Sequence, residues 1–143
     1  MHIYITRSMF IVVNPGAELS IYRQIMRQIV EAIASARLQA GEKLPSHREL
    51  SEQLVVAPLT IKKAYDELEA LGYIETQRGR GTFVSEKLPK VDKSDQLDKI
   101  EAAARQLLSL AYLGGFQLPD IIKILKDLDR ELTTAPVRGK ERV

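Results

Sequence analysis

The apolar positions of the N-terminal half predict three short helices. A first helix is capped by Ser20 and extends to about Ala36, and its apolar residues recur at three- and four-residue spacing. A second helix begins at Ser46, where a serine followed three residues later by glutamate forms a capping box. A third helix begins at Pro58, a residue suited to the first helical position, and extends to Leu71 with Gly72 as its C-cap.

Short alternating stretches predict strands on either side of these helices. Phe10–Val13 is a β-rich run that ends at the turn signal Asn14-Pro15-Gly16. After the third helix, residues 73–77 and 82–85 alternate around the basic, glycine-rich segment 78–81. The sequence therefore predicts a β-hairpin with a positively charged tip.

Two amphipathic helices are predicted after a linker at residues 88–93. They are separated by Gly114-Gly115, and each has a continuous apolar stripe that two short helices cannot cover by themselves. We expect these stripes to form a dimer interface; the alternative is a monomer in which both helices fold back onto the N-terminal half. The predicted interface residues are Leu97, Ile100, Ala104, Leu107, Leu108, Ala111, Ile121, Ile122, Leu125 and Leu128.

The predicted fold class is α+β. We expect an N-terminal domain at residues 9–87, a helical dimerisation domain at 94–133 and a flexible tail at 134–143. Met9 is a candidate natural start, which would make residues 1–8 an upstream extension; the alternative is that all 143 residues are native.

Composition excludes several classes of function. The chain has no cysteine and two histidines without paired ligand spacing, so we expect no disulfide, no metal site and no cofactor. No apolar run is long enough to span a membrane and no signal peptide is present, which predicts a cytoplasmic protein without a membrane partner. The net charge of +2 is a weak signal, because DNA binding depends on where the cations lie.

The order of elements is that of a winged helix-turn-helix. In this fold the third helix enters the major groove of DNA, and the hairpin contacts the adjacent backbone or the minor groove. Thr60, Lys62 and Lys63 occupy the first turns of the third helix, and Arg78 and Arg80 lie in the hairpin turn. These residues are the predicted DNA contacts.

The segment from Leu44 to Val84, LPSHRELSEQLVVAPLTIKKAYDELEALGYIETQRGRGTFV, resembles the DNA-binding domain of the GntR family of bacterial regulators. The resemblance implies a winged helix-turn-helix that binds a palindromic operator as a dimer. The DNA contacts that the resemblance implies are Arg48, Ala57, Pro58, Leu59, Thr60, Lys62, Arg78 and Gly79. Many members have Ser-Arg or Asn-Pro, followed by a polar residue, where this chain has Ala57-Pro58-Leu59, so one expected basic contact and one polar contact are missing. This departure concerns the operator sequence and not the DNA-binding activity.

The short helical region is similar to that of the YtrA-type subfamily. This resemblance implies a minimal dimerisation domain and control of a transport operon. We therefore interpret the chain as a dimeric repressor that binds double-stranded operator DNA. The alternative is a winged-helix module that binds a protein partner without specific DNA binding; an enzyme is disfavoured because no catalytic set is present. A small-molecule effector is left open, and the sequence identifies no cluster that would bind one.

Overall fold

The computed structural model describes residues 2–5 and 9–133, and their contacts define two compact units. The first unit holds the elements up to the basic hairpin, and the second spans Lys90–Glu131. The predicted tail at 134–143 lies outside the described residues. The helices are α1 Ile21–Ala34, α2 His47–Leu54, α3 Pro58–Ala70, α4 Lys93–Leu113 and α5 Leu118–Thr133; the strands are β1 His2–Ile5, β2 Phe10–Val13, β3 Lys43–Leu44, β4 Ile74–Gln77 and β5 Gly81–Val84.

The core of the first unit is formed by the apolar faces of α1, α2 and α3. α1 packs against α3 and β2, and α2 packs against α3. Their inward side chains follow the predicted helical spacing and are almost fully removed from water, each contributing roughly 1.5–3 kcal/mol of hydrophobic stabilisation. The largest fully buried side chains on these helices are Ile25, Ile29, Leu50, Leu54, Ile61 and Leu68. The predicted α+β class and winged-helix order are confirmed.

A three-stranded antiparallel sheet, ordered β3-β5-β4, completes the winged helix. The hairpin is the predicted one, with Gln77 opposite Gly81 and Ile74 opposite Val84. The two-residue strand β3 was not predicted; it pairs Lys43 with Phe83. Two residues have no recognisable period, so β3 exists because β5 offers it a hydrogen-bonding edge.

The N-terminal residues form an additional pair of strands. β1 is antiparallel to β2, with Ile5 opposite Phe10 and His2 opposite Val13. β1 also lies against α2. Met9, the candidate start, is only 1 % exposed and belongs to the core. Strand β1, which lies upstream of Met9, thus belongs to the first unit.

Two helix ends differ slightly from the prediction. α1 ends at Ala34 rather than near Ala36, because Ala36 has a φ of 59°, outside the right-handed helical region. α3 ends at Ala70, with Leu71 as its cap and Gly72 following it, whereas the prediction placed the end one residue later. The Gly72 amide donates to the Glu69 carbonyl at 3.0 Å, a tightened last turn of the kind common at helix ends.

The helices of the second unit leave their apolar residues largely in solvent. Asp92 caps α4 by accepting hydrogen bonds from the amides of Ser94 and Asp95. No residue of α4 is buried, and α5 has one buried residue, Ile121. Of the other predicted interface residues, Leu107, Leu108 and Ala111 are half-buried, and Leu97, Ile100, Ala104, Ile122, Leu125 and Leu128 are exposed. Among the described residues, no helix is both long and apolar enough to cross a lipid bilayer.

Candidate nucleic-acid interface

Helix α3 has one face in the core and the opposite face in solvent. Ile61, Tyr65 and Leu68 are buried on the inner face. At 100° per residue, Leu59 and Lys63 lie on the opposite side of the helix, with Lys62 and Asp66 beside them. All four of these outward residues are exposed. The face that would contact a ligand therefore combines one apolar side chain with two cations and one anion.

The first turn of α3 presents few hydrogen-bonding side chains. Ala57 occupies the N-cap position without a side-chain cap, and Pro58 is the first helical residue. Both are exposed, as is Leu59, while Thr60 is half-buried and its amide donates to the Ala57 carbonyl at 2.9 Å. The predicted DNA-contact residues at this turn are thus accessible but mostly apolar.

Lys62 forms an ion pair along the helix. Its Nζ atom donates to Oδ2 of Asp66 at 2.7 Å, and both side chains remain more than half exposed. Such an exposed pair contributes at most about 1 kcal/mol and is weakened by salt. Lys62 is therefore available to an anionic ligand, but only in competition with Asp66.

Lys63 also has a partner within the chain. Its Nζ lies 4.0 Å from the centroid of the Tyr22 ring on α1, a cation–π contact. Arg23 donates from Nε to Oη of Tyr22 at 3.2 Å. This hydrogen bond lowers the pKa of the Tyr22 phenol, because a guanidinium donor favours the phenolate, and it raises the pKa of Arg23. Arg23, Tyr22 and Lys63 thus form a cationic cluster joining α1 to α3.

Helix α2 positions the predicted contact residue Arg48. The Ser46 hydroxyl oxygen accepts a hydrogen bond from the Glu49 amide at 3.1 Å, as the predicted capping box requires. Arg48 is exposed in the first turn of α2. Tyr65 of α3 donates from Oη to the Pro45 carbonyl at 2.8 Å, immediately before α2. This bond ties the start of α2 to α3, so that Arg48 has a defined place beside α3.

The β4–β5 hairpin, residues 74–84, is called the wing below. Its turn exposes the predicted basic residues. Arg78, Gly79 and Arg80 are all exposed, and the Arg80 amide donates to the Gln77 carbonyl at 2.9 Å. Gly79 has a φ of 75° and Gly81 a φ of 124°, values that L-residues with side chains rarely adopt. The glycines thus allow the turn that displays the two arginines.

Comparisons with known proteins agree with this geometry. Residues 21–84 match the family described as "Bacterial regulatory proteins, gntR family". The chain is 34 % identical over 120 residues to the HTH-type transcriptional repressor YtrA of Bacillus subtilis, covering 84 % of this chain and 92 % of the relative. The chain belongs to the GntR family. It is a DNA-binding transcription regulator of a non-enzymatic class, as predicted from the sequence.

Solved structures of GntR-type proteins show the same fold. YtrA from Sulfolobus acidocaldarius, a GntR-family transcription factor, superimposes with a TM-score of 0.54 at 36 % identity, covering 67 % of this chain and 97 % of that one. A protein from Listeria monocytogenes EGD-e titled a transcriptional antiterminator superimposes with a TM-score of 0.70 at 32 % identity, covering 92 % of this chain and 98 % of that one. The similarity to YtrA proteins confirms the subfamily resemblance.

Two features of this GntR-family domain were not predicted from the sequence. Lys43 lies on β3 beside the wing, where a Cβ atom built on Gly81 would be 2.9 Å from its Cε and 3.5 Å from its Nζ. Lys43 therefore adds a third cation next to Arg78 and Arg80. Glu69 of α3 accepts a hydrogen bond from the Thr76 amide of β4 at 2.9 Å, which links the recognition helix to the wing. Only strand pairing and helix–strand packing bring these residues together.

The described part of the chain has no group of three or more histidine, cysteine, aspartate or glutamate side chains that could hold a metal ion. The exposed residues of the site present cations, backbone amides and apolar groups, with the Asp66 carboxylate beside Lys62. These are the groups with which proteins contact phosphates and base edges.

Proposed function

We propose that the chain is a homodimeric repressor that inserts α3 into the major groove of operator DNA and sets its wing on the adjacent backbone. The observation that carries this proposal is that Lys62 and Lys63 are exposed on the outer face of α3, and that the turn between β4 and β5 exposes Arg78 and Arg80. Lysine and arginine on one surface supply the phosphate contacts that dominate affinity for DNA.

Arg48 is the proposed phosphate contact from α2. Its position in a capped first turn, tied to α3 through Tyr65 and Pro45, suits a residue that fixes the orientation of the recognition helix on the duplex. The turn residues Ala57, Pro58, Leu59 and Thr60 are the proposed base-proximal residues, and Gly79 is the proposed point of close backbone approach in the wing.

The homodimer is proposed from the uncovered apolar stripes of α4 and α5. Leu97 and Ile100 are 58 % and 55 % exposed, and Leu125 and Leu128 are 48 % and 45 % exposed. A second copy presents the same surface, so that a two-fold axis would cover both stripes. Two recognition helices related by such an axis would address a palindromic site.

Repression is proposed because the similar relatives YtrA and NagR of Bacillus subtilis are named as repressors. A dimer bound over a promoter would exclude polymerase. The resemblance to the YtrA-type subfamily supports a transport operon as the target. We also propose a cytoplasmic location, because a promoter is accessible there.

A DNA-binding titration tests the interface. A fragment is first selected from a random-sequence DNA library by the intact chain, and its affinity for the Arg78→Ala/Arg80→Ala double variant is then measured over a range of salt concentrations. The variant should bind at least about tenfold more weakly, and the slope of log affinity against log salt should fall by about 1.8 if both arginines contact phosphate.

The matched control removes two cations from α4. The Lys99→Ala/Arg105→Ala variant has the same net charge as the wing variant, and both of its altered residues are exposed. It should retain the affinity and the salt slope of the parent within about twofold. Equal binding by the parent and the wing variant would favour the alternative function, a winged-helix module that binds a protein partner.

A further inference from the structure

An exposed leucine lies in the first turn of α3, on its outer face. Leu59 is 78 % exposed, and no large apolar side chain among the described residues of the first unit is more exposed. It lies on the side of α3 opposite Ile61 and Leu68, so it makes no contribution to the core. Its side chain is therefore available to a ligand that approaches the outer face of α3.

The neighbours of Leu59 on this face are the two lysines. Lys62 and Lys63 follow it by three and four residues, which places them next to it on the helix surface. Lys62 is paired with Asp66 and Lys63 lies over the Tyr22 ring. The two cations therefore lie one turn beyond the leucine and are held by partners within the chain, and the outer side of the first turn is apolar.

The first turn cannot specify bases through many hydrogen bonds. The side chains of Ala57, Pro58 and Leu59 have no donor or acceptor, and Thr60 is half-buried. In the major groove, the apolar group that distinguishes one base pair from the others is the 5-methyl group of thymine. A leucine at the outermost position favours that group over the polar edges of the other bases.

We propose that Leu59 is a specificity-determining residue that contacts the 5-methyl group of a thymine in each operator half-site. This inference rests on the proposed entry of α3 into the major groove. The lysines beside Leu59 match the phosphates that line that groove, which makes DNA, rather than an apolar protein surface, the complementary partner.

The test removes single methyl groups from the DNA. In the operator selected by the intact chain, each thymine is replaced in turn by deoxyuridine, which keeps every hydrogen-bonding group and lacks only the methyl. At one thymine per half-site the substitution should weaken binding about fourfold, the effect expected for one buried methyl-sized group. The Leu59→Ala variant should bind the thymine and the deoxyuridine forms equally at that position.

The matched control is Leu71→Ala, an equally sized change at the other end of α3 where Leu71 is 57 % exposed. Leu71→Ala should keep the full sensitivity to deoxyuridine. Thermal melting of both variants by circular dichroism verifies folding, and little change is expected because both side chains are exposed.

The outcomes separate this inference from the proposed function. If the operator is bound but no thymine shows a methyl effect that Leu59→Ala abolishes, the contact is refuted while DNA binding stands. The same holds if the selected half-sites contain no thymine, or if Leu59→Ala alters self-association instead of base preference. If no DNA fragment is selected, both the proposed function and the contact of Leu59 with thymine are refuted.

Discussion

At the scale of single residues, the charged side chains on the outer face of α3 differ in the partners that they already have within the chain. The sequence placed Lys62 and Lys63 side by side as equivalent candidates. The structure distinguishes them, because Lys62 faces a carboxylate one turn along α3 and Lys63 faces an aromatic ring on α1. An ion pair with Asp66 must be loosened before Lys62 can contact phosphate, whereas the ring leaves the charge of Lys63 intact.

Replacing Asp66 with asparagine should strengthen DNA binding. The substitution frees Lys62 and removes a negative charge from the surface that we propose faces phosphates, so affinity at low salt should rise by up to about fivefold, the worth of an exposed ion pair. Fluorescence anisotropy with the selected operator measures the change.

Asp127→Asn is the control for this charge change, since Asp127 pairs with Arg130 on α5 of the second unit. It should leave affinity nearly unchanged. If Asp66→Asn and Asp127→Asn had the same effect, the ion pair on α3 would have no special role and only net charge would matter.

At the scale of elements, the connection between α2 and α3 is held by a strained residue and a buried hydroxyl. Val55 ends α2 with a φ of 53°, in the left-handed region that β-branched residues avoid. Ser51, 6 % exposed, donates from its hydroxyl to the Val56 carbonyl at 2.5 Å and accounts for a polar group in an otherwise apolar core. The helix-turn-helix angle is thus maintained at a local conformational cost.

Replacing Val55 with asparagine should stabilise the protein. Asparagine tolerates the left-handed conformation, and Val55 is 70 % exposed, so little packing is lost. The free energy of unfolding should increase by about 0.5–1 kcal/mol, a fraction of the cost of a left-handed residue with a branched side chain. Urea denaturation followed by circular dichroism measures it.

The comparison variant is Val91→Asn, the same exchange at an exposed valine that is not among the residues with positive φ. Its unfolding free energy should stay within about 0.3 kcal/mol of the parent, as is usual for surface substitutions. An equal gain from both variants would mean that surface polarity, and not the backbone of the turn, is responsible.

At the scale of the whole molecule, the two units differ in how completely they bury their apolar residues. The first unit has a continuous core, whereas α4 and α5 together have one buried residue. Exposed apolar area of this extent is typical of a surface that another chain covers. The proposed dimer follows from this imbalance and not from any feature of the DNA-binding unit.

A charge introduced into the stripe of α5 should separate the protomers. Leu125→Asp places a carboxylate where the proposed partner helix packs, and burial of an unpaired charge is strongly unfavourable. Light scattering at micromolar concentration should show a shift from dimer to monomer, and operator affinity should fall by at least about tenfold because one recognition helix must bind alone.

Lys126→Asp supplies the matched control, since it introduces the same residue on the adjacent, polar side of α5. It should remain dimeric. A parent protein that is monomeric at these concentrations would contradict the dimer outright, and a Leu125→Asp variant that stays dimeric would place the interface elsewhere.

The helices and the hairpin were determined locally. Regular apolar spacing, the cap at Ser46 and the proline at position 58 define the helices, because these signals act within one or two turns of backbone. The glycines at 79 and 81 likewise define the wing turn without help from distant residues. The positions of Arg48, Arg78 and Arg80 on exposed turns followed from these elements.

Only the tertiary structure decided which distant residues meet. The short strand β3 forms because β5 supplies its hydrogen-bond partners, and that pairing brings Lys43 to the wing. The Tyr22–Lys63 contact, the link from Glu69 to Thr76 and the solvent exposure of the α4 and α5 stripes arise in the same way. Each of these features depends on contacts between residues far apart in the chain or on burial by neighbouring elements. Such contacts and such burial leave no periodic signal in the sequence.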